Sequence, residues 1–194
     1  MSRNILKSIY FICALFLFLF FNQCSNNKNS ARKIVKYCYG RKISFEWEKI
    51  FVYGDTTNVE NDCALSSPLK IVTYIDESLC TPCLSKYFSA SSVFIDRYKD
   101  SVQYICVVYP SSISQIQQSL KDLELSNSYI LYDVNDDFIK VNSLEKCPND
   151  YRTFLLDKND RVVSIGDPLR NRTIQKLYDL KIEELINNGG EERR

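Results

Sequence analysis

Cys80 and Cys83 stand three positions apart around Thr81 and Pro82, and a Cys-x-x-Cys pair suits reversible dithiol–disulfide exchange. In that chemistry a thiolate attacks a disulfide sulfur, and a second thiol within reach resolves the mixed disulfide. The flanking residues assign the two roles. Residues 71–75 (Ile-Val-Thr-Tyr-Ile) are an apolar, β-branched and aromatic run that predicts a strand buried on both faces. Asp76, Glu77 and Ser78 make a polar turn, and Leu84, Tyr87, Phe88, Ile95 and Tyr98 then recur at helical spacing. The pair therefore sits where a core strand hands over to a helix, with Pro82 in a first turn that has no internal hydrogen bond to lose. Cys80 is expected beside the free N–H groups and positive end of that helix, surroundings that lower a thiol pKa from ~8.5 to roughly 3.5–7.5. Cys83, one turn deeper on the same face, is placed to reach back. Cys80 is the candidate nucleophile and Cys83 the candidate resolving thiol.

The 194-residue chain contains no histidine. That removes Ser-His-Asp and Cys-His nucleophile–base pairs, mixed Cys/His zinc sites and histidine general bases. Chemistry is left to thiols, carboxylates or metals they hold. A four-cysteine zinc site needs a second close cysteine pair, which the sequence lacks, so neither a metal nor a cofactor is expected.

Arg3 and Lys7 precede an uncharged, almost wholly apolar run from Ile9 to Phe21. It is too short for a membrane-spanning helix, which needs about 20 residues, and has the pattern of a secretory signal. It ends at Phe21-Asn22-Gln23-Cys24-Ser25, which resembles a bacterial lipoprotein cleavage box with Cys24 as the lipidated residue. The expected domains are a signal peptide over 1–23, a tether and lead-in over 24–40, one domain over 41–188 and a disordered tail over 189–194. Removing 1–23 takes Arg3 and Lys7 and no acid, leaving 23 basic against 24 acidic residues. Such a mixed, near-neutral surface makes no electrostatic case for nucleic acid.

Along the chain, Ala31–Tyr39 reads as a short basic helical lead-in stopped by Gly40. Residues 41–53 read as a strand or hairpin with Ile43, Phe45 and Trp47 on one side. After the central strand and its helix, residues 102–109 form a second buried strand, and Pro110-Ser111-Ser112 caps a helix carrying Ile113, Ile116 and Leu120. Tyr129–Tyr132 is a short strand and Asp136–Leu144 a short helix. Residues 153–157 and 161–165 flank Lys158-Asn159-Asp160 as a tight hairpin. The last helix should turn Ile174, Leu177, Tyr178 and Leu185 inward. Alternation of strands and helices implies a sheet covered on both faces, with chemistry at the carboxyl ends of its parallel strands.

Two stretches carry a family resemblance: Tyr74-Ile75-Asp76 through Cys80-Thr81-Pro82-Cys83, and Thr153-Phe154-Leu155-Leu156-Asp157-Lys158-Asn159-Asp160-Arg161-Val162-Val163 through Gly166. Over about Arg41–Leu185 the chain resembles the thioredoxin-like superfamily, in layout the membrane-tethered thiol–disulfide oxidoreductases and thioredoxin-like lipoproteins of the bacterial envelope. The resemblance implies an α/β fold with a central mixed sheet flanked by helices, behind an N-terminal β extension. It implies substrate proteins carrying disulfides or thiols, a membrane electron donor or acceptor, a lipid anchor and an envelope location. Tyr151 and Arg152 stand where the family commonly has a cis-proline, and Leu79 where a Trp commonly precedes the first cysteine. The family's buried acid has no evident counterpart in sequence; Asp76 and Glu77 are nearby and read as solvated turn residues.

Among the other cysteines, Cys38 and Cys63 are candidates for a structural disulfide, and Cys106 reads as a small core residue. Cys147 is a candidate auxiliary thiol exchanging with Cys80, and Arg152 a candidate stabiliser of its thiolate. Two alternatives stay open beside the oxidoreductase: a catalytically degenerate binding or assembly module, and metal carriage by the two thiolates.

Overall fold

The computed structural model describes residues 29–45, 51–53, 67–76, 81–109, 128–133 and 135–192. The chain divides into two units, Met1–Tyr37 and Cys38–Arg194. In the first, the described residues lie in helix α1 (29–38), where Val35 and Tyr37 are exposed. Gly40, at φ 74°, follows the helix end in the left-handed conformation that favours glycine. The signal segment, Cys24 and Cys63 lie outside the described residues.

In the second unit the described strands are β1 (Phe51–Tyr53), β2 (Leu69–Ile75), β3 (Val102–Val108), β4 (Ser128–Tyr132), β5 (Thr153–Leu156) and β6 (Val162–Ile165). They form one sheet in the order β1-β4-β3-β2-β5-β6. β2, β3 and β4 run parallel, while β1, β5 and β6 pair antiparallel with their neighbours. The helices are α2 (Thr81–Tyr98), α3 (Asp137–Val141) and α4 (Arg172–Asn187). Every residue of the central strands β2 and β3 is buried, as their unbroken apolar runs predict.

Alternation along the strands divides the core. Leu69, Ile71 and Ile75 of β2 and Val102, Tyr104, Cys106 and Val108 of β3 join Phe88, Phe94 and Ile95 of α2 and Tyr178, Ile182 and Leu185 of α4. Tyr74 faces the other way and stacks on Phe138 of α3, ring centres 5.9 Å apart and 7° from parallel. Asp133, fully buried, accepts the Asp137 and Phe138 N–H groups at 2.8 Å each and so starts α3.

The hairpin forms as expected: Asp157 Oδ1 accepts the N–H groups of Asn159 (2.9 Å) and Arg161 (2.8 Å), and Asp160 takes the left-handed position at φ 60°. Three expectations change. Residues 41–53 are not one hairpin: Lys42 bridges Arg161 at the β6 end of the sheet, while β1 pairs with β4 at the opposite edge. Both edges need backbone partners, and this segment serves each with a different end. Leu177 is 54% exposed, because at 100° per residue the buried line of α4 runs through Tyr178, Ile182 and Leu185. Residues 190–192 are held rather than free: Gly190 accepts the Lys158 N–H at 3.0 Å, and Glu191 and Glu192 pair with Lys158 (2.9 Å) and Lys181 (2.7 Å). The expected helix after Pro110 falls in 110–127, outside the described residues.

Candidate active site

β2 ends at Ile75 and α2 begins at Thr81, so the Cys-x-x-Cys pair straddles a strand–helix junction at a carboxyl strand end. Cys83 is the third residue of α2; its side chain lies outside the described residues, as do Glu77 and Cys80 altogether. What the structure describes is the ground around them.

Sheet register sets that ground. Thr73 of β2 pairs with Thr153 of β5, and the Tyr74 N–H continues the ladder onto the Arg152 carbonyl at 2.9 Å. The segment 147–152 is thereby brought to the end of β2. Arg152, largely buried, lies with its guanidinium 5.5 Å from the Tyr74 ring centre and 3.6 Å from Asp76 Oδ2, and donates from Nε to the Cys147 carbonyl at 2.7 Å. Asn149 donates to the same Asp76 oxygen at 2.5 Å. Asp76 is thus tied to the loop before β5, a different role from the solvated turn residue expected.

On the α2 side, a cleft is lined by Thr73, Tyr87, Asn149, Thr153 and Asp167. Tyr87 follows Cys83 by four residues along α2. Its phenol joins a buried hydroxyl cluster: Tyr104 Oη lies 3.3 Å from Tyr87 Oη and 3.2 Å from Thr73 Oγ1, which lies 3.4 Å from Thr153 Oγ1. Burial pushes the Tyr87 phenol up, and the Asp167 carboxylate adds to the effect. Asp167 is only 7% exposed; burial pushes its carboxyl up, opposed by the Leu169 N–H donated to Oδ1 at 2.8 Å and by Arg170 at 3.3 Å. Sequence reading missed this buried acid, which lies in the Gly-Asp-Pro turn after β6. The available signal was an acid followed by proline at the end of an apolar strand.

The remaining cysteines separate. Cys106 is fully buried in β3, where burial pushes its thiol up, the position of a core residue. Cys38 and Cys147 are both buried, with their sulfurs 3.8 Å apart. Cys147 Sγ also lies 3.4 Å from the Tyr151 carbonyl. Among the described residues, no group of three or more metal-ligating side chains is present, and no helix is long and apolar enough to cross a membrane.

No protein-family model matches the chain, and no curated protein matches it. Its structure is similar to that of a Chlorobium tepidum protein described as a candidate thiol:disulfide interchange protein DsbE, with TM-score 0.54 and 15% identity over 74% of this chain and 97% of that one. A thioredoxin-like protein from Bacteroides caccae aligns at TM-score 0.49 and 14% identity, over 81% of this chain and 56% of that one. A candidate thioredoxin from Neisseria meningitidis aligns at TM-score 0.46 and 21% identity, over 64% and 79%. Parallel β2, β3 and β4, the antiparallel β5–β6 hairpin, the crossover helix α2 and an alignment spanning 97% of the Chlorobium chain together give this chain the thioredoxin-like fold.

Proposed function

We propose that the chain is a membrane-tethered thiol–disulfide oxidoreductase exchanging disulfides with envelope proteins through Cys80 and Cys83. The observation that carries this is positional: the Cys-x-x-Cys pair stands at the β2–α2 junction of a thioredoxin-like sheet. Cys80 as thiolate attacks a substrate disulfide; Cys83 then attacks the Cys80 sulfur of the mixed disulfide and releases the reduced substrate, leaving Cys80–Cys83 oxidised. A membrane electron donor or acceptor resets the pair. Asp167, buried in the same cleft as Tyr87, serves as the acid that exchanges the resolving thiol's proton. Cys24 carries the lipid that holds the protein to the envelope.

Insulin disulfide reduction by the full chain tests the reading. Turnover should exceed that of Cys80→Ser and Cys83→Ser proteins by orders of magnitude, and a Cys80 pKa well below the ordinary ~8.5 should accompany it. Turnover equal to the serine variants overturns it. That outcome supports the second reading, a tethered binding module, which is favoured by Tyr151 and Arg152 standing before β5 with Arg152 anchored to Asp76.

A further inference from the structure

We infer that Cys38 and Cys147 close as a disulfide, a second thiol pair separate from the Cys-x-x-Cys motif. Their sulfurs are 109 residues apart in sequence and 3.8 Å apart in space, each in a side chain 1% exposed. A disulfide bond is ~2.05 Å long, and the two sulfurs that would form it already stand in van der Waals contact.

The surroundings hold both partners in place. After Cys38 the chain runs beside β6: Gly40 donates to the Val162 carbonyl at 2.8 Å, Val162 to Arg41 at 2.9 Å, and Ile43 to Asp160 at 2.9 Å. Cys147 is fixed by its N–H on the Leu144 carbonyl (2.9 Å) and by its own carbonyl, which accepts from Arg152. The hydrogen bond shared with Cys147, and secondarily the Arg41 charge, hold the Cys38 thiol down against burial. The same hydrogen bond, with burial, pushes the Cys147 thiol up.

The step balances with a low-molecular-weight disulfide as oxidant. Cys38 thiolate attacks one sulfur of oxidised glutathione, forming a protein–glutathione disulfide and expelling one glutathione thiolate. Cys147 thiolate then attacks the Cys38 sulfur and expels the second. Two protein thiols are oxidised, one glutathione disulfide becomes two thiols, and these take up both protons. Because both sulfurs are buried in the folded chain, the exchange runs during folding or through local opening, and the finished bond is shielded. It clamps the loop that carries Arg152 to the segment alongside β6.

The test is a disulfide map of the full chain, refolded with oxidised glutathione, alkylated under denaturing conditions without reductant and cut with trypsin. Cleavage after Lys36, Arg41, Lys146 and Arg152 isolates peptides 37–41 and 147–152. The expected result is that they appear joined, lighter by two hydrogens than their sum, in the parent protein. The same product is expected in Cys80→Ser/Cys83→Ser protein, so the result is independent of whether the motif is active. Recovery of both peptides fully alkylated overturns the inference, as does finding Cys38 joined to Cys63 or Cys147 joined to Cys80.

Discussion

Arg152 grips Tyr74 twice: its carbonyl accepts the Tyr74 N–H at 2.9 Å, and its guanidinium lies 5.5 Å from the centre of the Tyr74 ring. The first contact extends the β2–β5 ladder past Thr73 and Thr153; the second places a cation at the carboxyl end of β2. Further contact with Asp76 and the Cys147 carbonyl makes this residue the joint between the β2 end and the 147–152 loop.

Truncation should expose that joint. Arg152→Ala removes a stacked cation, a charge-assisted hydrogen bond and a largely buried ion pair, an expected loss of about 2–3 kcal/mol. Arg152→Lys should recover less than half of it, since an ammonium neither stacks nor donates from a planar fork. Urea unfolding of the three proteins measures both. Equal midpoints for Arg and Ala would show that these contacts carry no stability.

The face of α4 can be tested by neighbours. Tyr178 is fully buried and its hydroxyl donates to the Thr153 carbonyl at 3.3 Å, whereas Leu177 is 54% exposed. Tyr178→Ala should cost about 3–5 kcal/mol and Leu177→Ala under about 0.5 kcal/mol. Comparable losses in chemical denaturation would mean that the buried line of the helix is wrongly placed.

Gly166 is held at φ 104°, and a Cβ there would lie 2.7 Å from Ile174 Cδ1. That contact is with the tip of a flexible side chain, so the backbone strain should dominate. Gly166→Ala is expected to cost about 1–3 kcal/mol, and adding Ile174→Val should restore only a minor part. Thermal melts of the single and double variants separate the two contributions.

Burial raises the carboxyl pKa of Asp133, and likewise of Asp167, in the folded chain. For a raised folded pKa the sign is definite. The native state binds the extra proton, so the stabilising contribution is complete below the unfolded value of ~3.9 and is lost as pH climbs through the folded value. Asp167→Asn abolishes that titration, so its stability relative to the parent should improve as pH rises from acid toward neutral. Urea midpoints collected across that range supply the check, and a difference independent of pH would remove Asp167 from the linkage.

Sequence alone determined the elements whose causes are local. The β-branched run before Cys80, the spacing of Tyr87, Phe88 and Ile95 after it, and the Asp157–Arg161 turn each depend on residues within a few positions, so strand, helix and hairpin were all legible. Only tertiary structure decided what lies across from what. Arg152 meets Tyr74 and Asp167 joins Tyr87 because the strand order and the Thr73–Thr153 register bring distant segments to one strand end, and Cys38 meets Cys147 because the chain after Cys38 runs beside β6. Sheet pairing is set by the burial of whole faces rather than by any neighbour in sequence, and no short window of residues contains that information.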